Sequence, residues 1–93
     1  MNKTTTVPFQ PYEGHRAMTK ADALIFERAA QFLQWPDLYS TMNHAGAKLA
    51  HHYHFSREKC GGRPINAWAR EQDHDAVATA LEDIAKQLKG LPE

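Results

Sequence analysis

PDLYSTMNHAGAKLAHHYHFSREKCGG, residues 36–62, is the stretch whose reading decides the fold. Leu38, Met42, Ala45, Leu49 and Tyr53 step through it at intervals of three and four. At about 100° per residue all five fall within about 40° of one direction, the signature of a helix with one core-facing stripe. Pro36 suits the first helical turn, and Asp37 beside it complements the helix dipole. Gly46 costs roughly 1 kcal/mol relative to alanine inside a helix, so the run is expected to kink or split within Asn43–Gly46. The Gly61-Gly62 pair supplies the left-handed residue that ends many helices, with Arg57 and Lys59 favourably placed in the last turn.

The same stretch holds four of the six histidines and the single cysteine. Measured from Leu49, His51, His54 and Glu58 project at about 200°, 140° and 180°, and His44 at about 220°. These four are therefore expected on the outward face, opposite the core, with His52 on the flank of the core stripe. Two imidazoles and a carboxylate at i, i+3 and i+7 offer zinc, nickel or iron at most three ligands: His51, His54 and Glu58. The plainer use of the face is a solvated or partner-facing wall. Imidazoles beside net positive charge also suggest a pH response, since they titrate near ~6.5. Cys60 lies among Arg57, Lys59 and Arg63, and a cationic setting lowers a thiol's pKa. With no base at a motif spacing, an inert thiol at a helix end is expected.

On the N-terminal side, residues 1–17 (MNKTTTVPFQPYEGHRA) have no periodicity and read as an extended arm, disordered up to about Thr6. Val7, Phe9 and Tyr12 are apolar beads able to dock on the domain or on a partner. Thr19 can cap a first helix, with Asp22 reaching back to it. That helix is expected to run to about Gln34, where Pro36 restricts Trp35. Ile25, Ala29 and Phe32, widened by Leu24, Phe26, Ala30 and Leu33, form its core face.

On the C-terminal side, Pro64 opens another helix in which Ile65, Trp68, Ala69 and Gln72 share a register. Val77, Leu81, Ile84 and Leu88 follow a different one. The mismatch places a break near Asp73, which can cap a last helix, with one long curved helix over 64–89 as the alternative. Gly90 and Pro92 close it.

Ninety-three residues carry zero formal net charge, and fourteen are alanine, which favours close helix packing over a sheet. The zero hides an asymmetry. Residues 48–70 hold five cations (Lys48, Arg57, Lys59, Arg63, Arg70) against Glu58, net +4, and residues 71–93 hold two lysines against six carboxylates, net −4. The two segments are expected to pair within the fold or to face different partners. One cysteine excludes an internal disulfide framework, and neither a signal peptide nor a membrane span can be read, so a cytoplasmic protein is expected.

The sequence thus predicts an all-α, small single-domain bundle of three to five helices over 18–93, with an extended N-terminal arm over 1–17. No nucleophile–base pair, catalytic carboxylate pair or phosphate loop can be read, so no enzymatic activity and no cofactor are expected. The expected function is a small regulator, adaptor or inhibitor docking on a larger protein, of the kind common among phage and mobile-element accessory proteins. Its contact residues would be His44, His51, His54, Arg57, Glu58, Lys59, Arg63 and Arg70. Two alternatives stand beside it. One is nucleic-acid binding through Arg57, Lys59, Arg63 and Arg70, where cations alternate with aromatics. The other is metal binding through the outward histidines. A homodimer seamed by the two-register C-terminal segment is a further option.

Overall fold

Thr19 caps the first helical turn as the sequence suggests. Its backbone N–H and its hydroxyl both donate to Asp22 Oδ2, at 2.6 and 3.1 Å. The structure, a computed structural model, describes residues 18–92; the expected arm, residues 1–17, lies outside the described residues. A 3-10 turn over Lys20–Asp22 leads into five α-helices: α1 Ala23–Gln31, α2 Leu38–His44, α3 Leu49–Lys59, α4 Ile65–Ala69 and α5 His74–Lys89. The fold is all-α, and no strand occurs among the described residues.

α5 is the spine. Asp73 caps it, its side chain accepting from the Ala76 N–H at 2.8 Å, so the change of register at Asp73 is a real helix break. Val77, Leu81, Ile84 and Leu88 are all fully buried, against α1 above all. This stripe is spent on the core. In α1, Phe26 and Ala29 are fully buried, while Leu24 and Phe32, both expected inside, are about half exposed. For Phe32 the cause is the helix end: α1 stops at Gln31, not Gln34, and Phe32 leaves the helical conformation with its ring edge-on to His44. Pro36 does not open α2. It sits after a cis peptide bond in a turn closed by the Asp37 N–H donating to the Gln34 carbonyl at 2.8 Å, and Asp37 is the cap, accepting from the Ser40 N–H.

The split expected within Asn43–Gly46 falls at Gly46, and the decisive departure is in the phase of the helix that follows. The Ala47 N–H donates to the Met42 carbonyl at 2.8 Å and the Gly46 N–H to that of Asn43 at 3.0 Å, with Gly46 at φ +97°. This is a Schellman stop with glycine at its left-handed position. It ends α2 outright rather than kinking it, and α3 restarts after Lys48 with its phase reset. Leu38, Met42 and Ala45 stay in the core, but Leu49 and Tyr53, the continuation of their stripe, are 45% and 38% exposed. In α3 the buried residues are His51, His52, His54 and Phe55: the first, third and fourth project about 140–240° from Leu49, while His52 sits on the flank of the Leu49 face, about 60° from it.

Phe55 is what makes this orientation favourable. It is fully buried, with its ring stacked on Phe26 at 6.4 Å and edge-on to Trp68 at 5.6 Å. Burying such a side chain contributes about 1.5–3 kcal/mol, more than Leu49 forfeits by remaining half exposed. α4 completes the layer beside it, with Ile65 and Ala69 buried and the Ala69 carbonyl accepting from the Trp35 indole N–H at 3.0 Å.

Candidate functional site

The expected outward histidine wall does not exist: His51, His52 and His54 are 4%, 5% and 2% exposed. Each does a different job. The Lys48 backbone N–H donates to His51 Nδ1 at 2.9 Å, so this nitrogen is the bare one. The Nε2–H then donates to Asp22 Oδ1 at 3.0 Å. His51 thus occupies the place that Glu or Gln takes in a capping box, at the start of α3. Asp22 does the same for Thr19, and the two capping side chains are bonded to each other. An Asp–His pair can orient a catalytic base, but here the second ring nitrogen is already engaged by Lys48 and neither side chain reaches solvent. The pair is a structural clasp.

His54 packs edge-on against the Phe26 ring, with centroids 6.2 Å apart. Burial first, then the charges of Arg57 and His51, push its pKa down to about 4, with Asp22 pulling the other way. His52 stacks on Tyr39 at 4.4 Å, and its Nε2–H donates to the Asn43 side-chain Oδ1 at 2.8 Å. Burial holds its pKa below the usual imidazole range, and His51 adds to this. The metal set expected from His51, His54 and Glu58 is not assembled. Among the described residues no group of three His, Cys, Asp or Glu side chains is placed to hold a metal ion. Spacing put the three on one face, but that face is the packed one and His51 is consumed by its own hydrogen bonds.

The cations fare differently from one another. Arg63 makes a two-pronged ion pair with Glu71, and the Lys59 ammonium meets Asp83 at 2.7 Å. These pairs join the basic middle to the acidic end within one fold and hold the Glu71 and Asp83 carboxyls below their usual pKa range. Arg57 and Glu58 are half-buried, while Arg70 and His44 are exposed. Cys60 is buried at the α3 terminus. Burial pushes its thiol up to about 11, overriding the opposing pull of Arg63, so the expected cationic activation loses to desolvation.

What the reset of α3 turns outward is the more informative feature. Leu49, His52, Tyr53 and Ser56 line one side of a groove of about 550 Å³. Tyr39 from α2 and Arg63, Pro64, Ile65 and Asn66 from the approach to α4 line the rest. Tyr39, Leu49 and Tyr53 are 47%, 45% and 38% exposed. The groove walls are fixed: the Tyr39 N–H donates to Asn66 Oδ1 at 2.8 Å, and Ser56 Oγ donates to the Arg63 carbonyl at 2.7 Å. Sequence reasoning assigned Leu49 and Tyr53 to the core. The signal that finds them is Gly46 taken as a full stop, after which Leu49, His52, Tyr53 and Ser56 fall at i, i+3, i+4 and i+7 in their own right.

Fold and site together define a small helical protein with an aromatic-lined surface groove, held on a core clasped by buried histidines. Comparison with protein families, curated proteins and solved structures finds no match. No helix among the described residues is long and apolar enough to cross a membrane.

Proposed function

We propose that the chain is a non-enzymatic interaction module, a regulator, adaptor or inhibitor that receives an extended apolar segment of a larger protein in the groove between α3 and the α2 and α4 starts. One observation carries this reading. Tyr39, Leu49 and Tyr53 surround a single concavity at 38–47% exposure, although Leu38 and Phe55 on the same helices are fully buried. Grouped, half-exposed aromatic side chains of this kind favour a protein ligand, because tyrosines give large contact area at low entropy cost and are enriched in binding hot spots. Arg63 stands on the rim and retains a place in the contact set. His51 and His54 lose theirs, being internal. The nucleic-acid reading is weaker because Lys59 and Arg63 already have carboxylate partners within the chain. A lone, buried thiol is compatible with the cytoplasm.

The test is comparative capture. Wild-type chain, a Leu49→Ser/Tyr53→Ser variant and a Glu82→Ala control from the outer face of α5 are immobilised and exposed to candidate partners. A protein retained by wild type and control but lost by the groove variant supports the reading. Equal retention by all three overturns it.

A further inference from the structure

α3 turns an ionisable face to the core. Of the four side chains it buries, His51, His52 and His54 are imidazoles and Phe55 alone is apolar. The α1–α5 pair is built the other way: it buries Phe26, Ala29, Val77, Leu81, Ile84 and Leu88, none of which takes up a proton. α3 is also bracketed by glycines in the left-handed region, Gly46 at φ +97° before it and Gly61 and Gly62 at φ +67° and +87° after it. A Cβ added at Gly61 or Gly62 would meet nothing within 4 Å, so that turn stands open. A helix set between two glycine turns, with little apolar surface holding it, is a unit that can leave while the rest of the core stays.

The groups facing each imidazole decide what a proton does there. His51 Nδ1 accepts from the Lys48 N–H at 2.9 Å, so protonation would oppose two donors, while Asp22 of the 3-10 turn, 3.0 Å from Nε2, attracts the cation. These effects oppose each other, and His52 and His54 carry the response. His52 gives its Nε2–H to Asn43 of α2 and stacks on Tyr39 of the same helix. Its buried Nδ1 has no hydrogen-bond partner among the described residues, so an N–H formed there finds no acceptor. His54 packs edge-on against Phe26 of α1. Burial, then the charges of Arg57 and His51, depress its pKa to about 4 against the pull of Asp22. From α4 the Trp68 ring, which is uncharged, meets Phe55. From α5 Asp83 meets Lys59 at 2.7 Å, and its carboxyl is held below the ordinary carboxylate range, so that pair persists while the imidazoles take up protons. An open α3 accepts protons that the closed one refuses, and acid therefore drives opening.

We propose that α3 is an acid-released element, swinging out between Gly46 and the Gly61-Gly62 turn in mild acid while α1 and α5 stay paired. α3 supplies Leu49, His52, Tyr53 and Ser56 to the groove, so its departure dismantles the docking site and acid discharges whatever is bound there. That last step rests on the groove being a docking site, as proposed above; the release of α3 does not.

The test is amide hydrogen exchange on the full chain with no partner, read by NMR between about pH 7 and about pH 4.5 and normalised to the intrinsic exchange rate at each pH. Protection at Phe55, Ser56 and Arg57 is expected to fall at least about tenfold per pH unit below 6.5, the slope of one proton taken up on opening. Leu81, Ile84 and Ala85 of α5 should stay more than about tenfold better protected throughout, because they open only with the whole core. His54→Leu should remove about one tenfold step per pH unit from the α3 slope. Matched protection of α3 and α5 at every pH means one cooperative unit and overturns the proposal. So does an α3 protection that ignores pH, or a slope that His54→Leu leaves unchanged. Should His54→Leu not fold, the wild-type comparison of α3 with α5 still decides. Failure of the capture experiment leaves this readout untouched, so the two proposals fail separately.

Discussion

At the scale of single residues, the three buried histidines show how identity and position part company. Spacing alone made His51 and His54 look like metal ligands, yet neither is available to one: the first bridges two helix starts and the second is buried edge-on against a phenyl ring. His54 carries a testable consequence. Its pKa in the folded chain, about 4, lies below the ordinary imidazole value of 6.5. The fold therefore favours the neutral ring. The stability this provides is fully present above pH 6.5 and is lost as pH falls from there towards 4. His52 shifts in the same direction. Thermal melts followed by circular dichroism are expected to show a falling midpoint between pH 7 and pH 4.5. His54→Leu, of similar size and unable to titrate, should flatten that slope. An unchanged slope in the variant would assign the acid sensitivity to other groups, the exposed carboxylates Glu71 and Asp83 first among them.

At the scale of elements, helix stops decided what could be read in advance. The core face of α5 was legible because its stripe runs unbroken from Val77 to Leu88, while its start at the Asp73 cap stood beside one long curved helix over 64–89 as the alternative. The Thr19–Asp22 cap ahead of α1 was legible for the same reason. α3 was not, because a periodicity carried across Gly46 keeps a phase the backbone has abandoned. The amino-acid pattern on either side of a Schellman stop gives no measure of the rotation between the two helices. Only packing sets that, here the burial of Phe55. Gly46 is therefore expected to be intolerant. Gly46→Ala places a Cβ at φ +97°, 3.4 Å from Ile25 Cδ1, and should cost about 1–2 kcal/mol in urea denaturation. Gly90→Ala is the control: with φ −81°, it should move stability by less than about 0.5 kcal/mol. Equal effects at both positions would mean that the left-handed conformation at Gly46 is not required.

At the scale of the whole molecule, core and groove should separate cleanly under mutation. Leu81→Ala empties a fully buried site and is expected to cost about 2–5 kcal/mol. Leu49→Ser removes a half-exposed side chain and should stay within about 1 kcal/mol while still abolishing capture of a groove ligand. Comparable destabilisation by the two would return Leu49 to the core where periodicity had put it. The overall class, an all-α bundle, followed from alanine content and helix punctuation. The groove did not, because it exists only through the mutual placement of α2, α3 and α4. The clasp between Asp22 and His51 has a consequence at this scale too. Each residue holds the backbone amide of its own helix start, Thr19 in one case and Lys48 in the other, and each holds the other residue. Two helix ends far apart in sequence are thereby made to fray as one event. The amide protons of Thr19 and Lys48 should exchange with deuterium through a shared opening, at matched protection, even though each sits at a terminus where fraying is normally independent and fast.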